Sequence, residues 1–296
     1  MFAPELRNFA GLTALYGPGR PMGVRSVTAG VLRGIAFGVP FEARVDDRRL
    51  LPRVRARLPP GWAPTRLQPA AVLSLAHESS RGSTVHLHGL SVRVDGRRVA
   101  QGLRHDRALD VFESELQLAV ARLARPEVFV HAGVVAVGGR AIVVPGRSGT
   151  GKTTLVRALV DAGATYYSDE YAVLAPDGRV RPYARRPSVR VGAGYKKRQP
   201  VPRLRGRGPI RLGLVVETRY RKGAHWDPVP LSAGECVLTL LANTVPVRDR
   251  PAEVLVALAR ATAGVRGLRS ERGAAAQTAR ELVALARQDS SALSGR

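Results

Sequence analysis

Residues 146–153 read Gly146-Arg147-Ser148-Gly149-Thr150-Gly151-Lys152-Thr153, with Thr154 following. This fits the spacing G-x-x-x-x-G-K-[ST], a phosphate-binding loop. Glycines at these places let the backbone turn successive N–H groups toward phosphate oxygens. A helix starting at the loop's end adds its positive pole. Lys152 is then placed to meet the terminal phosphates, and Thr153 to put its hydroxyl on Mg²⁺. The expectation is an ATP and Mg²⁺ site lined by residues 146–154. The alternative is a glycine-rich turn with a stray lysine. It is disfavoured because an apolar strand pattern (141–144) precedes the loop and an amphipathic helix pattern follows it, and because the chain has only three other lysines, Lys196, Lys197 and Lys222.

Phosphoryl transfer also needs carboxylates for the metal and for the acceptor proton. Asp169-Glu170 follows the apolar run 165–168, directly after the loop's helix. In a β-α-β arrangement that strand end faces the same sheet edge as the loop. Asp169 is assigned to the metal or the acceptor proton and Glu170 to the second carboxylate, the division of roles being open. A solvated turn pair is the plainer reading. His131, ending the apolar run 128–131, could position or protonate a phosphate, or could be an ordinary core histidine. Glu217 is either a third site residue or the ion-pair partner of Arg219 or Arg221.

The elements that must position these groups follow from periodicity. Leu109, Phe112, Leu116, Ala119, Val120 and Leu123 recur at helical spacing, so a helix is expected over about 108–124, stopped at Arg125-Pro126. Residues 134–137, Gly138-Gly139 and 140–144 read as strand, turn, strand. A helix is expected from Lys152 to about Ala162, closed by Gly163. Strand patterns follow at 165–168, 171–174 and 210–216, with a turn at Asp177-Gly178. Ser232 and Glu235 form a capping box for a helix running to about Asn243. Further helices are expected at about 251–264 and 273–287. In the first hundred residues, 84–90 and 90–94 alternate as half-buried strands do, and Asp95-Gly96 reads as a hairpin turn. The expected organisation is a small α+β domain over 1–125, a candidate for substrate recognition, and an α/β nucleotide domain over 126–296 whose hairpin turns imply a mixed sheet.

The chain has 296 residues, net charge +24 and pI ≈ 11.6. Of its 47 basic residues only four are lysine. Arginine-for-lysine bias with abundant Ala, Gly and Val follows from GC-rich coding as readily as from an acidic partner. Aromatic residues are only 5%, and no stacking cluster or nucleic-acid module is recognisable, so nucleic acid is not the expected partner. The single cysteine, Cys236, excludes a disulfide framework and a cysteine-built metal site within the chain. No apolar run reaches the ~18–20 residues of a membrane span, and no secretory pattern opens the sequence, so the expected location is the cytoplasm, with no membrane partner. Residues 179–222 hold fifteen Lys/Arg against one acidic residue, Glu217. The stretch could be an acidic-peptide groove, a phosphate clamp or a solvated face, and Arg203, Arg205, Arg207 and Arg211 are its candidates for stabilising the transition state.

His131-Ala132-Gly133-Val134-Val135, the loop 146–153 and Ser168-Asp169-Glu170, in that order, resemble the C-terminal catalytic domain of HPr kinase/phosphorylase. The loop wording is also similar to ATP-dependent phosphoenolpyruvate carboxykinase, a structural relative. The resemblance covers about 127–174. It implies a P-loop kinase fold with a mixed sheet, transfer from ATP to a serine hydroxyl of a protein or peptide, catalytic roles for His131, Asp169 and Glu170 beside Lys152, and a homo-oligomeric assembly. The family's paired aspartates stand here as Asp169-Glu170. Its glycine-rich signature has only Arg205-Gly206-Arg207-Gly208 as a counterpart, and the chain is closer to stand-alone members such as lasso-peptide precursor kinases than to carbon-regulation enzymes. Two other readings of the same residues stand beside this one: a nucleotide-regulated binding module without transfer, and a kinase of a small-molecule hydroxyl.

Overall fold

The computed structural model describes residues 28–78, 89–146, 149–191, 195–202 and 204–294. The strand expected at 84–90 lies outside them except for its last two residues. The chain is a mixed α/β protein. Its first part runs β1 (Gly30–Ala36), β2 (Val39–Val45), a 3-10 turn (Arg48–Leu50), α1 (Leu51–Arg55), β3 (Ala63–Pro64), β4 (Ala71–His77), β5 (Leu90–Val94), β6 (Arg97–Leu103) and α2 (His105–Leu123). The second part runs β7 (Val128–Val137), β8 (Arg140–Pro145), α3 (Lys152–Asp161), β9 (Thr165–Ser168), β10 (Tyr171–Leu174), β11 (Val180–Arg181), β12 (Ser188–Val191), β13 (Tyr195–Arg198), β14 (Arg211–Tyr220), β15 (Val229–Leu231), α4 (Ala233–Leu241), α5 (Pro251–Thr262), β16 (Arg266–Arg272) and α6 (Ala275–Ser294).

The six early strands form one sheet in the order β3-β1-β2-β4-β5-β6. Asp95, at φ +49, and Gly96 make the β5–β6 turn as expected. Helix α2 lays Ala108, Leu109, Phe112, Leu116 and Val120, all fully buried, against this sheet. It begins three residues earlier than apolar periodicity alone indicates, with Asp106 in its first turn, where a carboxylate suits the positive pole. The same apolar cluster takes in Phe129, Tyr171, Val173 and Tyr183 from the second part of the chain, so α2 is packed from both sides. Phe112→Ala is therefore expected to cost ~3–5 kcal/mol, measurable as a lowered denaturant midpoint.

The second sheet runs β11-β10-β7-β8-β14-β16-β15, with β9 also pairing β7. Hairpin β7–β8 is antiparallel, closed by Gly138 and Gly139, both at positive φ. β14 is parallel to both β8 and β16. The sheet is thus mixed, and three parallel strands, β8, β14 and β16, send their carboxyl ends to one edge. Strand β16 has no expectation behind it. Its sequence, Arg-Gly-Leu-Arg-Ser-Glu-Arg, carries one large apolar side chain, so alternation cannot reveal it. It is a strand because β14 on one side and β15 on the other complete its ladder.

Candidate active site

The loop joins the carboxyl end of β8 to α3. Gly149 and Gly151 both adopt left-handed backbone, at φ +92 and +86, a conformation glycine enters without steric cost. Gly151 is the N-cap of α3, and no side chain caps the helix, so its first N–H groups face outward as donors suited to an anion. A side chain on Gly146 would place its Cβ 3.0 Å from Thr150 Oγ1, so the loop closes tightly on itself. Thr153 is half-buried on the first turn of α3, and Thr154 is exposed. Arg147 and Ser148 lie outside the described residues.

Lys152 folds back to the loop, its ammonium donating to the carbonyl of Gly146. Burial pushes its pKa below the usual lysine value, against the opposing pull of Glu170 and then Asp169. Both carboxylates thus act on the lysine electrostatically.

β9 reaches this edge by a route the simple β-α-β picture does not contain. It pairs not with β8 but antiparallel with β7, which lies between them. Because β7 is antiparallel to both, β9 and β8 run the same way and end at the same edge. β9 and β10 lie end to end along β7, Ser168 opposite Val134 and Tyr171 opposite His131. Asp169 and Glu170 fill the gap. Ser168 Oγ accepts from the N–H groups of Glu170 (3.1 Å) and Tyr171 (2.9 Å), fixing the turn that carries the pair. Asp169 is buried, and Tyr166 Oη lies 3.1 Å from its Oδ1. That hydroxyl is held well above the ordinary tyrosine pKa, chiefly by burial and then by Asp169.

His131 sits on β7 beside the pair. Its Nδ1 is 3.9 Å from Glu170 Oε1, and its ring centroid 4.6 Å from that of Tyr171. Burial lowers its pKa, Glu170 opposes this, and Lys152 lowers it further, which favours the neutral imidazole. Two residues along, Gly133 lies beneath α3: a Cβ there would come within 2.4 Å of Val156 Cγ2. Gly133→Val should separate α3 from β7, costing ~1–3 kcal/mol as overpacking and weakening nucleotide binding, which calorimetric titration with ATP would read.

Lys152, Asp169, Glu170 and His131 are thus neighbours, contributed by α3, the β9–β10 turn and β7. Glu217 is not among them. It accepts from Arg269 (3.1 Å) and from the hydroxyl of Thr239 on α4 (2.7 Å), while Arg221 pairs with Glu271 instead. Of the four candidate arginines, Arg203 lies outside the described residues. Arg205, Arg207 and Arg211 are exposed. Arg211 opens β14 opposite Arg140, at the edge away from the loop. The Arg205–Gly208 stretch has a packing role: Gly206 sits under the Tyr167 ring, 2.0 Å from where its Cβ would be, and Tyr167 Oη donates to Gly208 O at 3.0 Å.

Two residues outside the expected set belong here. Arg185 lies 3.3 Å from Glu170 Oε2. Arg272, closing β16, is fully buried, and its Nη2 donates to the carbonyl of Gly151 at 2.8 Å. That carbonyl also accepts the first helical bond of α3, from Leu155 at 3.0 Å. No motif marks either arginine, since both stand among many. Arg272→Ala should weaken ATP binding about tenfold or more, because a hydrogen bond from a charged donor is worth ~1.5–3 kcal/mol; titration with ATP checks this.

Among the described residues no group of three or more His, Cys, Asp or Glu is arranged to hold a metal, and no helix is long and apolar enough to cross a membrane. The residues present fit Mg²⁺ bound together with phosphates, which takes one or two carboxylates rather than a protein cage; Asp169 and the Thr153 hydroxyl would hold it.

No family model matches the chain, and no curated protein matches it. Solved structures do, among them the Hpr(Ser) kinase/phosphatase from Coxiella burnetii, at 15% identity and a TM-score of 0.35, covering 54% of this chain and 96% of that one. A likeness that slight carries no argument about activity.

Proposed function

We propose that the chain is an ATP-dependent phosphotransferase that moves the γ-phosphoryl group to a hydroxyl, that of a serine of a protein or peptide. The observation that supports this best is that the loop carrying Lys152 and the turn carrying Asp169 and Glu170 end at one sheet edge. A site that only binds nucleotide needs the loop and a metal; it has no use for Asp169 and Glu170 acting together on the lysine.

In this reading the α3 N–H groups and the loop backbone hold the phosphate chain, and Arg272 braces Gly151 behind it. Lys152 neutralises charge that develops on the transferred group. Thr153 and Asp169 would hold Mg²⁺, which would supply positive charge against the charge developing on the phosphates. The acceptor hydroxyl gives its proton to Asp169 or Glu170 as its oxygen bonds to the γ-phosphorus. The bond from that phosphorus to the β–γ bridging oxygen breaks, and ADP leaves. Neutral His131 is placed to orient Glu170. Residues 126–296 supply the phosphotransfer unit in this account, and residues 1–125 the acceptor-recognition part.

The test is ADP formation by the full chain with ATP and Mg²⁺, alone and with serine-containing peptides or extract of the source cells. Acceptor-stimulated ADP formation that Lys152→Ala abolishes is the expected result. Tight ATP binding without ADP formation in any mixture would point instead to a nucleotide-regulated binding module.

A further inference from the structure

Arg185 lies in the arginine-rich stretch whose other described members are mostly exposed, yet its own side chain is only 11% exposed. Its Nη1 donates to Gln117 Oε1 at 2.7 Å and lies 3.3 Å from Glu170 Oε2. Its Nη2 is 3.9 Å from Glu113 Oε1. Gln117 in turn donates to Glu113 at 3.1 Å. Glu113 and Gln117 are one turn apart on α2, and both are buried.

The backbone of the same residue serves the other carboxylate. The carbonyl of Arg185 lies 3.1 Å from Tyr166 Oη, the hydroxyl that also lies 3.1 Å from Asp169 Oδ1. What precedes Arg185 is anchored. Tyr183 is fully buried among Phe37, Phe129 and Tyr171, its N–H donates to Tyr167 O, and its carbonyl accepts from Arg185 N at 3.0 Å. Residue 185 therefore contacts Glu170 directly through its guanidinium, shares the Tyr166 hydroxyl with Asp169 through its carbonyl, and is tied to α2.

We propose that Arg185 is a positioning residue: it fixes the orientation of Glu170 and locks it to Glu113 and Gln117, so that helix α2 sets the geometry of a site whose motifs all lie after residue 126. The inference rests on the phosphotransfer reading for its kinetic consequences and on geometry alone for the clamp. A guanidinium suits the task because its planar fork reaches two acceptors at fixed angles, which an ammonium does not. Burial disfavours the guanidinium's charge, and Glu170 and then Asp169 more than compensate, holding its pKa above the usual arginine value.

Misplacement of a catalytic group by about an ångström costs on the order of 100-fold in rate. Arg185→Ala should lower kcat for ADP formation ~10- to 100-fold with the KM for ATP changed less than about twofold, since the loop is untouched. Arg185→Lys should recover part of the loss, and added methylguanidine should recover part of it in the alanine variant. Gln117→Ala should lower kcat several-fold, again with KM held. In hydrogen exchange, residues 165–171 should open faster in Arg185→Ala, while α3 keeps its protection. An alanine variant with wild-type kcat would overturn the proposal. So would a joint loss of kcat and ATP affinity with no guanidine rescue and faster exchange throughout, the signature of a merely structural arginine. If the wild-type chain itself forms no ADP, the phosphotransfer reading falls and exchange alone decides the clamp: unchanged protection at 165–171 in Arg185→Ala overturns it.

Discussion

Lys152→Ala is expected to lower ADP formation by about 10²–10³-fold while leaving the protein as stable as the wild type. The size follows from the lysine's place. It is the one cation on the loop's own helix terminus, bonded to Gly146 and pulled on electrostatically by Glu170 and Asp169. A preorganised donor aimed at developing charge in a partly desolvated site is worth about that much. The absence of a stability penalty follows from the same environment. Burial lowers the Lys152 pKa, so folding works against its charge, and truncation relieves that cost while giving up the bond to the Gly146 carbonyl. Thermal unfolding of the two proteins should give midpoints within a few degrees, and turnover assays should differ by orders of magnitude.

Asp169→Asn should be as damaging to transfer and gentler on binding. The change is nearly isosteric, and the amide oxygen can still accept from Tyr166 Oη, now 3.1 Å from the carboxylate. What is lost is a negative charge at the metal position and a proton acceptor, and loss of a general base alone costs ~10²–10⁴-fold. Binding of ATP without metal should be unchanged, because the loop and α3 hold the phosphates. Stopped turnover with retained metal-free ATP affinity is the expected pair of results. Full turnover in Asp169→Asn would show that Glu170 alone carries the proton and that Asp169 is structural.

Much of this centre is legible along the sequence because its parts are local. Loop 146–153 is one continuous word, the Ser232–Glu235 capping box forms as its residues require, and the hairpins at Gly138-Gly139 and Asp95-Gly96 close where glycine is placed to turn the chain. What the sequence conceals is long-range. Nothing near Asp169 says that β7 separates β8 from β9, or that the pair bridges two strands on a shared neighbour. Glu217 is a carboxylate at the end of an apolar run, just as Asp169 is, and only the fold shows that it faces Arg269 and Thr239 rather than the loop. Arg185 and Arg272 are two among 43 arginines; their contacts with Glu170 and Gly151 single them out, and those contacts join elements distant in the chain. β16 has the same origin, being a polar stretch made into a strand by its neighbours.

The most direct measurement of the central claim is to follow γ-¹⁸O-labelled ATP and Mg²⁺, incubated with the full chain and candidate serine-containing peptides or extract, by mass spectrometry. A labelled phosphoryl group on a serine of a discrete peptide or protein, absent with Lys152→Ala and Asp169→Asn, is the expected result. Label on a metabolite would retain the phosphotransferase and discard the peptide acceptor. ATP bound tightly with label on no molecule but ATP itself would contradict the account.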